Sequence, residues 1–221
     1  IGFGGGGILV DCGISCRSVA NALEVRNILP EKLSGIILTH EHIDHIKGLK
    51  VFLKKYNIPV YATSAVLRYL SVYDCVPPEA ELCEIDDRGF ILGGMLIEPF
   101  ATSHDSIGSR GYSVSTPDEH RICVCTDTGF ITDDAHEHLL GSDAVLIESN
   151  YDKMMLMAGA HYSYSLKMRI DGRLGHLSNA DCSAFLPDLV RSGTTRIVLG
   201  HLSKENNLPR LAEETATAEL S

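Results

Sequence analysis

The chain has 221 residues, of which 44% are hydrophobic and 22% charged, and its net charge is −10. That length suits one compact domain with a sizeable core. No apolar run reaches the ~20 residues of a membrane span, and the acidic balance counts against a sequence-independent nucleic-acid binder, which usually shows a basic surface. No basic-apolar-small signal segment opens the chain, so the expected location is the cytoplasm. Seven cysteines are an odd number, and they are scattered through element-like segments. They read as small buried hydrophobes rather than a disulfide framework.

Taken in chain order, Ile1-Gly2-Phe3-Gly4-Gly5-Gly6-Gly7 is low-complexity and reads as a flexible start. It is no phosphate loop, because no Lys-Ser/Thr pair follows it. Residues 8–221 read as a single domain. Ile8 to Asp11 is a short apolar strand ended by Gly13, and Ser15 to Leu29 is a helix stopped by Pro30. Gly35 to Thr39 is a buried strand that runs straight into a histidine cluster. Lys47 to Tyr56 reads as a helix, Pro59 to Ala62 as a strand, and Ser64 opens another helix.

The middle is strand-rich, with candidates at Phe90 to Phe100, Gly111 to Ser115, Arg121 to Thr126 and Ala144 to Glu148. In the third of these, β-branched alternation puts Cys123 and Cys125 on one face, which argues for a strand rather than half of a metal knuckle. Helices are expected near Asp133 to Leu140 and Ala180 to Arg191. A last strand, Thr195 to Leu199, leads into Gly200-His201. The pattern is α/β, with two sheets and outer helices.

The chemistry concentrates at His40-x-His42-x-Asp44-His45, four ligand-type residues within six positions, directly after an apolar strand. Neutral imidazoles suit zinc, manganese or iron, and a carboxylate adds charge for a second ion. His104, Asp127 and His201 each follow a strand-like segment. One such histidine alone would be a surface residue; three such positions downstream of one cluster point to a metal centre.

The ordered set Thr39 to His45, Ser103-His104-Asp105, Thr126-Asp127-Thr128-Gly129 and Leu199-Gly200-His201-Leu202-Ser203 resembles the metallo-β-lactamase superfamily. The segments Glu148-Ser149-Asn150-Tyr151-Asp152 and Gly175-His176-Leu177-Ser178-Asn179 resemble one branch of it, the bacterial YycJ/WalJ family of 5′→3′ DNA exonucleases. The resemblance runs from Leu9 to about Leu211. It implies an αββα sandwich and two divalent metal ions, which could be zinc, manganese or iron. His40, His42 and His104 would hold the first ion, and Asp44, His45 and His201 the second. Asp127 would bridge them. Two ions about 3.5–4 Å apart can clamp a phosphate and stabilise both attacking and leaving oxygens.

Asp44 fits a second role, as a base orienting water. His176 would contact the phosphate or act as general acid, with Glu148 orienting it. Ser178, Asn179 and Ser203 are equally readable as phosphate-side donors or as cap and turn residues. The aspartate matching Asp11 is usually structural in this superfamily. One departure stands out: the family usually begins with a strand and a Ser/Gly/Asn-rich turn, and here a glycine-rich stretch takes that place. The expected substrate is DNA. The alternative is a small-molecule hydrolase of the same fold, acting on a cyclic phosphodiester, lactone or thioester. A degenerate binding module is argued against by the full ligand set. The sequence says nothing of oligomeric state.

Overall fold

A computed structural model describes all 221 residues. Its strands form two mixed sheets. The first contains β1 (Gly2–Phe3), β2 (Gly6–Val10), β3 (Leu33–Ile37), β4 (Val60–Thr63) and β5 (Leu82–Ile85), paired in that order. The second has the order β11-β10-β9-β8-β7-β6, where β6 is Phe90–Leu92, β7 Met95–Ala101, β8 Arg110–Ser115, β9 Arg121–Cys125, β10 Ala144–Glu148 and β11 Arg196–Gly200. The chain divides into two compact units, residues 1–99 with 106–110, and residues 100–105 with 111–221.

In the first unit β3 pairs parallel with β2 and β4. A parallel strand with a neighbour on each side is buried on both faces, so its sequence reads as an apolar run. Gly35, Ile36 and Ile37 are buried accordingly. The helices α1 (Cys16–Glu24), α3 (Leu49–Tyr56) and α4 (Ser64–Val72) belong to this unit, and its core includes Val19, Ile36, Phe52, Val60, Val66 and Leu70. In the second unit β10 pairs parallel with both β9 and β11. Its core gathers Val145, Ile147, Leu186 and Leu189 with Cys123 and Cys125. Both cysteines are fully buried on one face of β9, and all seven in the chain are free thiols. Burial pushes the Cys123 thiol up to about 12, as expected for an inert core residue.

Several elements differ from the sequence reading. The glycine-rich start, read above as flexible, forms a hairpin: Gly4 and Gly5 take φ of 60° and 83°, and Gly2 and Phe3 pair with Gly7 and Gly6. Two residues at positive φ make the turn that matches strand twist, which glycine adopts without steric cost. Phe90 to Phe100 is a hairpin too, not one strand, because Gly93 and Gly94 turn it at φ 58° and 79°. The helix expected over Ser15 to Leu29 stops at Glu24, and the chain then turns with Asn27 at φ 55°. Lys47 to Tyr56 begins only at Leu49, preceded by the short helix α2 (Ile43–Ile46). The helices α5 (Asp133–Leu139) and α8 (Asn179–Arg191) fall where expected. α6 (Lys153–Ala158), α7 (Tyr164–Ile170), α9 (Pro209–Glu219) and β5 carry too little apolar periodicity to be read from sequence. No helix is long and apolar enough to cross a membrane.

Candidate active site

In the first unit the ends of β2 and β3 set the geometry. Asp11 leaves β2 in the left-handed region at φ 59°, which a short polar side chain tolerates. That turn aims its carboxylate at the loop after β3. Oδ1 accepts from the Thr39 backbone N–H at 2.8 Å, and Oδ2 from the Thr39 hydroxyl at 2.9 Å. The same Oδ2 accepts from Nδ1 of His45 at 2.7 Å. Thr39 Oγ1, having given its proton to Asp11, accepts from Nδ1 of His40 at 3.0 Å. Both rings therefore carry their proton on Nδ1, and Nε2 is the nitrogen that would ligate a metal. The His40 ring lies 4.2 Å from that of His45 and 4.5 Å from that of His42, centroid to centroid. Asp44, in the first turn of α2, is exposed, with Oδ2 3.8 Å from His45 Nε2.

The loop is also held by its backbone. The Cys12 N–H donates to the His45 carbonyl at 2.8 Å, and the Gly48 N–H to the Cys12 carbonyl at 2.8 Å. The approach is close enough to demand glycine. A Cβ on Gly13 would lie 1.4 Å from the Asp44 carbonyl oxygen, and one on Gly48 1.9 Å from that of Ile14.

In the second unit the hub is Glu148, the last residue of β10, fully buried. Its Oε1 accepts from Nδ1 of His176 at 2.9 Å and from Nδ1 of His201 at 2.7 Å. Oε2 accepts from the backbone N–H groups of Thr128 at 2.9 Å and Leu177 at 3.0 Å. Burial alone would push this carboxyl up. The hydrogen bonds and charges of the two imidazoles outweigh it and hold Glu148 well below the usual carboxylate range. Burial works against His176 as well, yet its bond to Glu148 lifts it above the ordinary histidine value. His104 moves down, because burial there is not outweighed. Its Nδ1 donates to the Gly175 carbonyl at 2.9 Å, and its Nε2 is 3.7 Å from Asp127 Oδ1.

Asp127 lies two residues beyond β9 at φ 56°, and His201 directly follows β11 at φ 54°. With Asp11, three site residues thus leave strands in a backbone region that most side chains avoid, a feature that collects at functional sites. One ligand-type atom from each of Asp127, Glu148, His176 and His201 lies within 4.8 Å of the others.

The structure gives the remaining candidates humbler work. Ser178 caps α8, accepting from the Asp181 N–H at 3.0 Å. Asn179 is buried in an amide network, receiving the Ser149 hydroxyl at 2.7 Å and donating to Asn207 at 2.9 Å. Ser203 accepts from the Asn206 N–H at 3.1 Å in a turn. Thr39, Gly175 and Asn150 were not singled out in the sequence. Asn150 donates to the His201 carbonyl at 2.7 Å. Its position in Glu148-Ser149-Asn150, straight after a strand, is the one signal that could have found it.

The donor set fits divalent metal ions. For His40, His45, His104 and His201, Nδ1 is committed to a hydroxyl, carboxylate or carbonyl of the same unit. Metal-ligating histidines are oriented in this way.

Comparison with known proteins agrees. Residues 7–202 match the family model of the beta-lactamase superfamily domain. The crystal structure of Zn(2+)-bound PqqB from Methylobacterium extorquens superposes with a TM-score of 0.72 at 18% identity, covering 99% of this chain and 80% of that one. The fold is therefore that of the metallo-β-lactamases, and with it goes a metal-dependent hydrolase. Exodeoxyribonuclease WalJ of Streptococcus pneumoniae serotype 2 (strain D39 / NCTC 7466) is 35% identical over 97% of this chain and 80% of its own length. Exodeoxyribonuclease YycJ of Bacillus anthracis is 32% identical over 93% of this chain and 77% of its own. The chain belongs to the WalJ/YycJ family of the metallo-β-lactamase superfamily.

Proposed function

We propose that the protein is a dinuclear metal-dependent phosphodiesterase that degrades DNA from its 5′ end. The two relatives named above are exodeoxyribonucleases, and the matches to them cover 97% and 93% of this chain. The same coverage supports reading 8–221 as one domain. The observation that carries the reading is the Glu148 hub. It orients His201, a ligand in the family pattern, and His176, which that pattern does not need for either metal shell. A hydrolase acting on an activated ester gains nothing from such a residue. A phosphodiesterase expelling a sugar oxygen gains a proton donor.

On this reading His40, His42 and His104 would hold one ion and Asp44, His45 and His201 the other, with Asp127 shared between them. Bound ions supply Lewis acidity and lower the pKa of water. Asp44 orients the attacking water, and His176 gives its proton to the leaving oxygen while Glu148 keeps the imidazole in place. Such a nuclease works where DNA is, in the cytoplasm. The ions are zinc, manganese or iron.

The test is digestion of single- and double-stranded DNA labelled at the 5′ or the 3′ end, with each metal supplied singly to chelated protein. Early release of the 5′ label as a short product supports the reading. DNA left intact while a cyclic phosphodiester, lactone or thioester is hydrolysed would replace it with the small-molecule alternative.

A further inference from the structure

The chain between β10 and α8 is unlike the rest of this acidic protein. Residues 149–178, the whole of that stretch, hold four basic side chains, Lys153, Lys167, Arg169 and Arg173, against two acidic ones, Asp152 and Asp171, in a chain of net charge −10. The segment also exposes apolar side chains that a packed domain normally buries. Tyr164 is 75% exposed and Leu174 57%. In α7 the exposed residues are Tyr164, Ser165, Met168 and Arg169. Positions i, i+1, i+4 and i+5 share one face of a helix. Tyr164 and Met168 form its apolar row, and Arg169 stands beside Met168.

The segment is tied by its backbone to the neighbourhood of His104 and His176. The His176 N–H bonds to the Ile170 carbonyl, the last residue of α7, at 2.9 Å, and the Asp105 N–H bonds to the Leu174 carbonyl at 3.0 Å. Arg169 pairs with Asp105, the neighbour of His104. Arg173 lies over the Phe130 ring, 3.8 Å from its centroid. Seven residues of helix span about 10 Å, roughly three stacked nucleotides at ~3.4 Å each.

We propose that this face is the track for the single strand being degraded, with Tyr164 as a stacking platform for a base and Arg169 and Arg173 as phosphate contacts leading to His176. The proposal rests on the reading of the protein as a DNA-end nuclease. Aromatic platforms interleaved with arginines bind single strands without regard to sequence, since every base has a π-face and every nucleotide a phosphate. That suits an enzyme that must accept each nucleotide in turn. A hydrophobic protein partner would also cover Tyr164 and Met168, but it would make no use of the charge on the exposed Arg169 and Arg173.

The test uses length dependence. For the metal-loaded wild type, KM should fall as single-stranded oligonucleotides lengthen from dinucleotide to dodecanucleotide. Tyr164→Ala should remove most of that fall, raising KM for the dodecanucleotide roughly 10-fold, with kcat changed less than about twofold. Tyr164→Phe keeps the π-face and should restore it. Arg173→Gln should lower the slope of log affinity against log salt by about 0.7, the value for one phosphate contact on a single strand. Affinity is also read without cleavage, as anisotropy of a labelled oligothymidylate in excess chelator. If Tyr164→Ala and Arg173→Gln leave length dependence, salt slope and anisotropy unchanged, the track is elsewhere. If the wild type cleaves no DNA yet binds the oligothymidylate in a Tyr164-dependent way, the nuclease reading fails while the strand-binding face stands.

Discussion

The two units orient imidazoles for the same purpose by opposite means. In the first, His40, His42, Asp44 and His45 lie within six positions, on the loop after β3 and the short helix α2, and two glycines let backbone press on backbone. In the second, His104, His176 and His201 come from distant parts of the chain, and a single buried carboxylate gathers two of them. Asp11 is partly open to water, with 16% of its side chain exposed. Glu148 is closed off completely. A hydrogen bond lost at Asp11 can be replaced by solvent, whereas one lost at Glu148 leaves a buried group unmatched, at the full cost of its desolvation. The first unit should therefore be the tolerant half and the second the brittle one.

The severest test is Asp127→Ala. If Asp127 is shared by both ions, the variant has no measurable hydrolysis, and its metal content falls well below the two equivalents expected of the wild type. Elemental analysis of protein purified without chelator measures both. Full activity, or a wild type firmly at one equivalent, removes the dinuclear reading. Next comes His176→Ala. Both metals should remain, and hydrolysis of DNA should fall by ~10²–10⁴, the usual contribution of a general acid. A nitrophenyl phosphodiester, whose leaving group needs little protonation, should lose far less. Equal losses on both substrates would assign His176 to positioning instead.

The comparison itself is tested by Glu148→Gln and Asp11→Asn. Removing the group that orients a metal-bound histidine typically lowers metal affinity or activity ~10–100-fold. Glu148→Gln should lie at the upper end, because two imidazoles and two backbone N–H groups lose their carboxylate together. Asp11→Asn should lie at the lower end. Competition with a chromophoric chelator gives both affinities, and the reverse order would break the contrast.

The same contrast explains what was legible in the sequence. The histidine loop could be read directly, because its four candidates sit within six positions after an apolar strand. Parallel strands such as β3 and β10 were equally plain, since burial on both faces writes an uninterrupted apolar run. The Glu148 pairing with His176 was visible only through the resemblance of two segments 28 residues apart. Its second partner, His201, lies 53 residues away, and no local pattern encodes such a meeting. Thr39 and Gly175 escaped notice for a different reason. One acts through a hydroxyl beside two histidines and the other through a backbone carbonyl, and neither residue type announces a role. The two glycine hairpins were missed because a glycine pair reads as flexibility until the strands on either side are known to pair.

The smallest expected effect is the one that separates backbone from side-chain control. Gly13→Ala and Gly175→Ala each add one methyl group. At Gly13 it would meet the Asp44 carbonyl oxygen at 1.4 Å, and at Gly175 that of Ile170 at 2.1 Å. Neither gap holds a methyl, so the backbone must move in both, at a cost of about 1–3 kcal/mol for overpacking. The midpoint of urea denaturation should fall in each. Metal binding should distinguish them. The Gly13 substitution pushes on the segment that carries Asp44 and His45, but Asp11 and Thr39 still hold two of that loop's rings through side chains. The Gly175 substitution displaces the carbonyl that holds His104, and the neighbouring His176 with it. For the same loss of stability, Gly175→Ala should therefore lose more metal affinity than Gly13→Ala. If Gly13→Ala loses more, the glycine contact, rather than the Asp11 and Thr39 side chains, fixes the histidines of the first unit.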